Sequence, residues 1–177
     1  FKTSLTPLPF EGFAPGIIRE MLEAAAACSV GPMAAIAGAI AEYVGHELLK
    51  YSDEIIVENG GDIFLKTCRD LTIGVFAGKS PLSHKIGIRI PCRGKQVGIC
   101  TSSGTVGPSL SFGTADAVTI KSSSAAYADA AATAIGNMVK TKSNIREAID
   151  AAKELPFIDG VLIIKDDVLG VWGDIYL

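Results

Sequence analysis

From Ala24 to Ala41 the chain runs eighteen residues without a charged side chain, and this stretch limits the fold more than any other. A run of that length and polarity is what a membrane span needs. Its composition points elsewhere, because Ala dominates it, Ser29, Gly31, Pro32 and Gly38 interrupt it, and bulky aliphatic residues are few. The expectation is a tightly packed helix pair whose small side chains let backbones approach, with no membrane partner. Pro15 opens the first helix, 15–28, and Ile17, Ile18, Met21 and Leu22 form its apolar stripe. Gly31 and Pro32 break the helix and restart it. The second, 32–49, carries Met33, Ile36, Ala37, Ile40, Val44 and Leu48 at spacings of three and four, with Glu42, Glu47 and Lys50 gathered toward its end.

From Glu54 the period becomes that of strands. EIIVE, DIFLK, LTIGVF, KIGIRI, QVGICTS and AVTI are short β-branched runs separated by turn residues. Asn59-Gly60-Gly61 predicts a tight hairpin, since successive glycines supply the positive φ such turns require. Arg93-Gly94-Lys95 marks another turn. These links are too short for helical crossovers, so the pairing is antiparallel. Thr101 to Asp116 forms a Gly/Ser-rich loop longer than a usual hairpin connection. Helices are expected over 123–141, with Ser122, Ser123 or Ser124 as N-cap, and over 143–153. Two last strands, GVLIIK and GVWGDIYL, meet through Asp166-Asp167. The fold class is therefore α+β: an N-terminal helix pair, an antiparallel-rich sheet of short strands, a C-terminal helix pair and a final hairpin.

The 177 residues suit one domain spanning 1–177, and a start at Phe1 rather than Met suggests that an N-terminal portion of a longer protein is missing. With 49% hydrophobic and 20% charged residues, disorder is excluded. A net charge of −3 and the lack of any Lys/Arg run argue against a nucleic-acid partner. Cys28, Cys68, Cys92 and Cys100 form no CxxC and have no His pair at zinc spacing, so they read as reduced thiols of a cytoplasmic protein.

Some motifs are imitations. Gly74–Ser80, GVFAGKS, is one residue short of a phosphate loop and runs into Pro81 and a strand rather than a helix, which leaves Lys79 a solvated loop residue. His46 and His84 have no partnering acid or nucleophile at a recognisable spacing, and TSSG is not a nucleophile elbow. The informative pair is Asp129 and Thr133, one turn apart on a helix that follows the glycine-bearing loop, so that a carboxylate and a hydroxyl share one face. Hard oxygen donors beside backbone N–H groups suit Mg²⁺ bound together with phosphate.

Thr101-Ser102-Ser103-Gly104, then Asp116-Ala117-Val118-Thr119-Ile120, then Ala128–Ala134 (ADAAATA) resemble the "TSG … VTV … ADALATA" pattern of the ApbE-like family, the FAD:protein FMN transferases. Val57–Ile63 resembles that family's "N-x-GGDI" hairpin, and Ile36-Ala37-Gly38-Ala39 stands where the family carries "IAKG". The resemblance implies an ApbE-like fold and Mg²⁺ held by Asp129 and Thr133. It also implies a nucleotide, FAD or FMN, bound by Gly60, Gly61, Asp62, Thr101, Ser102, Ser103 and Gly104. Departures are present too: VGPSLSFGTAD replaces the family's "H-x-I-D-P-x-T-G" loop, Gly38 replaces the lysine, and the chain is short, as in the short branch of the superfamily. Those departures leave the catalytic residues unassigned and keep three readings open. The first is a flavin nucleotide protein that uses Mg²⁺ and acts on FAD. The second is a persulfide carrier in sulfur amino-acid assimilation, motivated by the cysteines, and the third is a non-enzymatic scaffold with room for a homodimer.

Overall fold

The computed structural model describes residues 1–10, 12–107 and 110–177. Pro108 and Ser109, inside the expected loop, lie outside the described residues. Helix α1 spans Gly16–Cys28, a 3₁₀ turn Pro32–Ala35 leads into α2 at Ile36–Leu48, and strands β1 (Ile55–Asn59) and β2 (Asp62–Lys66) follow. Then come β3 (Leu71–Gly74), β4 (Gly87–Ile90), β5 (Gln96–Ser102), β6 (Ala117–Ser122), α3 (Ala125–Met138), α4 (Ile145–Lys153), β7 (Ile158–Lys165) and β8 (Val168–Gly173). This is the α+β arrangement the periodicities predict, with 3₁₀ rather than α geometry after Pro32.

The uncharged stretch folds as two helices. Ser29 ends α1 in the left-handed region, and the amides of Ser29 and Val30 turn back to the carbonyls of Ala26 and Ala25, which closes the helix end. Pro32 then restarts the chain at a position where its missing N–H costs nothing. The two helical segments are bent 107° from one another, and among the described residues no single helix is long and apolar enough to cross a membrane.

Strands β1-β2-β5-β6-β7-β8 form a fully antiparallel sheet, and β3-β4 form a separate two-stranded ribbon. Alternation along each strand sends Phe64, Cys100, Val118, Ile120, Val161 and Ile163 to the face covered by helices. The other face carries Leu65, Ile99, Ala117, Leu162 and Ile164 against Val75, Ile88 and Ile90 of the ribbon region. Every residue of β6 is buried. Its polar members are buried with partners: Thr119 beside the Thr101 hydroxyl, Lys121 on Asp174 and Ser122 on the Phe157 carbonyl. A cavity lies beside the ribbon at Ile73–Val75 and another beside it at Ile90.

Candidate functional site

At one end of the ribbon a cleft of about 440 Å³ is lined by Gly60, Gly61, Asp62, Thr101, Ser102, Ser103, Thr119, Asp129 and Thr133, with Ile73 and Phe76 on the ribbon side. Three separate chain segments build it. Asn59 pairs with Asp62, so Gly60 and Gly61 are a two-residue turn with φ of 67° and 102°. A Cβ at either would meet nothing, so glycine is needed here for its backbone alone. The turn delivers Asp62 to the head of β2, next to the end of β5. There the Thr101 N–H donates to Asp62 Oδ1 at 3.2 Å, and the Thr101 and Thr119 hydroxyls lie 2.9 Å apart.

Asp129 and Thr133 come from α3, whose start is fixed by an acid of α2, Glu42. Glu42 is 5% exposed. Its Oε2 accepts from Ser124 Oγ at 2.8 Å and from the amides of Ala125 and Ala126 at 2.7 and 3.2 Å. A carboxylate on the first amides of a helix satisfies groups with no intrahelical partner and complements the positive end of the helix. Only tertiary structure reveals this, because the N-terminus of α3 lies more than eighty residues further along the chain.

Helices α2 and α3 meet at Gly38. A Cβ there would stand 2.1 Å from Ala125 O and 2.9 Å from Asp129 Cβ, so no lysine fits. The close approach lets the Gly38 N–H donate to Asp129 Oδ2 at 3.0 Å.

Asp62 and Asp129 are 8% and 9% exposed, and neither joins an ion pair among the described residues. Burial pushes the Asp62 carboxyl up to about 6. Asp129 rises well above the ordinary carboxylate range, first through burial and then through the charge of Asp62. A second cavity of about 590 Å³ lies on the other side of the acids. Val30, Met33, Ile36, Leu110 and Phe112 line it, and it shares Asp62, Asp129 and Thr133 with the cleft. The two acids thus stand where a polar cleft meets an apolar cavity.

Gly104 does not line the cleft, since its N–H donates to Ala115 O at 2.9 Å and helps close the loop. The amides of Thr105 and Val106 donate to Ser103 Oγ at 3.1 and 3.0 Å. The loop therefore offers fewer amides to a ligand than its composition suggests. Among the described residues no group of three or more His, Cys, Asp or Glu is placed to hold a metal, so the donors here are oxygens from two acids and hydroxyls.

Other candidates lie elsewhere. His46 sits 2.6 Å from Gln96 Oε1 and edge-on to Phe64. His84 stacks on Phe76 at 5.0 Å. Lys79 is exposed, and no helix follows it. Cys28 and Cys100 are buried and Cys68 and Cys92 exposed, none of them lining the cleft. Burial pushes the Cys28 thiol up to about 12. Cys100, raised by burial and by Asp62, donates to Ala125 O at 3.2 Å.

The chain matches the family model described as AbpE bacteria over residues 1–156, and it belongs to that family. It is 42% identical to the UPF0280 protein of Methanococcus aeolicus, over 99% of this chain and 73% of that protein. The corresponding protein of Methanocaldococcus jannaschii is 44% identical, again over 99% of this chain and 73% of its own length. Among solved structures the ApbE protein of Thermotoga maritima superposes with a TM-score of 0.57 at 18% identity, over 82% of this chain and 51% of that one. The apo flavinyl transferase ApbE of Pseudomonas stutzeri gives 0.51 at 15% identity, over 82% and 48%. At those identities the likeness is one of fold, and this chain spans about half the length of either.

Proposed function

We propose that this AbpE-family chain binds a flavin nucleotide together with Mg²⁺ in the cleft between the ribbon and α3. The observation that carries the reading is the pair of buried acids, Asp62 and Asp129, which no cation accompanies among the described residues. Two carboxylates close together in a desolvated place repel one another, and a divalent cation relieves that repulsion. With Thr133 adjacent, the donor set is oxygen only, which suits Mg²⁺ rather than zinc. Bound there, the ion would neutralise charge on a pyrophosphate.

The chain's own residues account for the rest. Gly60 and Gly61 carry no side chains at the mouth and allow phosphate oxygens to approach the backbone. Gly38 and Thr101 orient the acids through their amides. Leu110, Phe112, Met33 and Ile36 offer an apolar wall against which a planar ring is desolvated. The names of the solved neighbours, flavinyl and flavin transferases, agree with a flavin as ligand. Neither histidine lines the cleft, so the chain offers no imidazole there as a general base.

FAD fluorescence titrated with protein, with and without Mg²⁺, tests the reading, and released AMP reports cleavage. Binding should require Mg²⁺ and weaken at least tenfold, about 1.4 kcal/mol, in Asp129→Asn and Thr133→Val. FAD signals that ignore both protein and metal would leave a scaffold role in place of a nucleotide site.

A further inference from the structure

At the opposite end of the ribbon a second polar cavity, of about 250 Å³, is lined by Arg93, Lys95, Lys121, Ser123, Asp159 and Asp174. It shares no lining residue with the acid cleft. Arg93 and Lys95 come from the link between β4 and β5, and Lys121 from β6, so two distant segments bring three cations to one place in a chain whose net charge is −3. Asp159 and Asp174 offset two of them, which leaves the cavity with one positive charge in excess.

Lys121 is the unusual member. Its side chain is 5% exposed, and a buried ammonium is costly unless its donors are engaged. It has three N–H groups, and two contacts are seen, to Asp174 Oδ2 at 2.7 Å and to Asp174 O at 3.0 Å. One donor remains on a side chain that lines the cavity. The register of β6 against β7 shifts at Lys121 and Ser122, and such an irregularity re-aims side chains at a strand end. Arg93 is held only loosely, Nη1 at 3.3 Å from Asp174 Oδ2 and Nη2 at 3.4 Å from the Tyr176 hydroxyl. These are two separate long contacts, whereas a guanidinium binds best to two oxygens of one anion. Lys95 and Ser123 are exposed at the rim.

We infer that this cavity is a binding site for a small oxyanion-bearing molecule, a phosphoryl or carboxylate group received by Lys121, Arg93 and Lys95. The volume fits an anionic group with a few atoms attached rather than a dinucleotide. The inference is independent of the flavin reading, since the two sites share no residue.

The test follows backbone amide resonances of residues 91–97 as inorganic phosphate, or acetate, replaces chloride at constant ionic strength. Phosphate should move these amides saturably, and the exposed pair Arg93→Gln/Lys95→Gln should weaken the effect at least tenfold while the urea midpoint is kept. Asp129→Asn, in the other cleft, should leave it unchanged. A response to phosphate alone assigns a phosphoryl ligand, and an equal response to acetate a carboxylate; both support the site. Amides that stay still with either anion, or shifts that persist in the double variant, overturn it. Because Lys121 is buried and its replacement risks the fold, Lys121→Arg serves as the conservative check, and it should alter affinity more than stability.

Discussion

Replacing Gly38 by Ala tests the link between packing and the site directly. The new Cβ would lie 2.1 Å from Ala125 O, 2.7 Å from Ala125 C and 2.9 Å from Asp129 Cβ. Ordinary contact between heavy atoms is about 3.5 Å, so the α2 and α3 backbones must part locally by roughly 1 Å. Overpacking of this kind costs about 1–3 kcal/mol. The same displacement pulls the Gly38 N–H from Asp129 Oδ2, now 3.0 Å away, and a typical buried hydrogen bond contributes about 0.5–1.5 kcal/mol. Removing a helical glycine returns roughly 0.5–1 kcal/mol, which leaves a net loss of about 1–3.5 kcal/mol. Urea unfolding followed by the fluorescence of Trp172, the sole tryptophan, reads this as a lower midpoint at unchanged slope. Gly136→Ala is the control: it lies in α3 and its Cβ would meet nothing nearer than 3.7 Å, so it should stabilise by about 0.5–1 kcal/mol. Should Gly38→Ala fall within about 0.5 kcal/mol of the parent, or unfold earlier while binding Mg²⁺ and FAD as before, the claim that this contact sets Asp129 is wrong.

Three further outcomes are expected. The Asp62 carboxyl, raised from 3.8 to about 6, holds its proton more tightly folded than unfolded; in chelator-treated protein its contribution is therefore full below pH 3.8 and lost as the pH rises through 6, about 3 kcal/mol in all at 1.36 kcal/mol per unit. Asp62→Asn should remove that part of the pH slope, and urea midpoints that differ from the parent by a constant amount from pH 4 to 7 would refute it. Glu42→Ala strands three donors at the start of α3 and should cost about 2–4 kcal/mol, with Glu42→Gln recovering part of it in thermal melts. A thiol reagent should label Cys68 and Cys92 at once and reach Cys28 and Cys100 only through unfolding; four fast thiols would contradict the burial.

Local signals carried most of the elements. Short β-branched runs marked the strands, and Asn59-Gly60-Gly61 marked the first hairpin because a two-residue turn leaves little else for the backbone to do. Strand neighbours were another matter. Leu71–Gly74 and Gly87–Ile90 alternate like the other strands, yet they leave the main sheet and cover it. Alternation specifies two faces, not which partner pairs with either. Asp129 and Thr133 were legible because one helical turn fixes their relation. Glu42 was not, because an acid midway along α2, with Glu47 on the same helix, gives no sign of the distant helix start that is set upon it.

The acidity of the site and the smallness of the helix residues turn out to be one property. Asp129 is 9% exposed because Ala-rich α3 sits against α2 at a distance that only a glycine at position 38 allows. Desolvation from that contact is the first cause of the raised Asp129 carboxyl, and the Asp62 charge the second. A larger residue on either helix would admit water and lower the carboxyl toward its ordinary range. The uncharged run from Ala24 to Ala41 therefore acts on the acids through spacing and holds them dry; under the proposed Mg²⁺ reading, that dryness is what a divalent ion would offset.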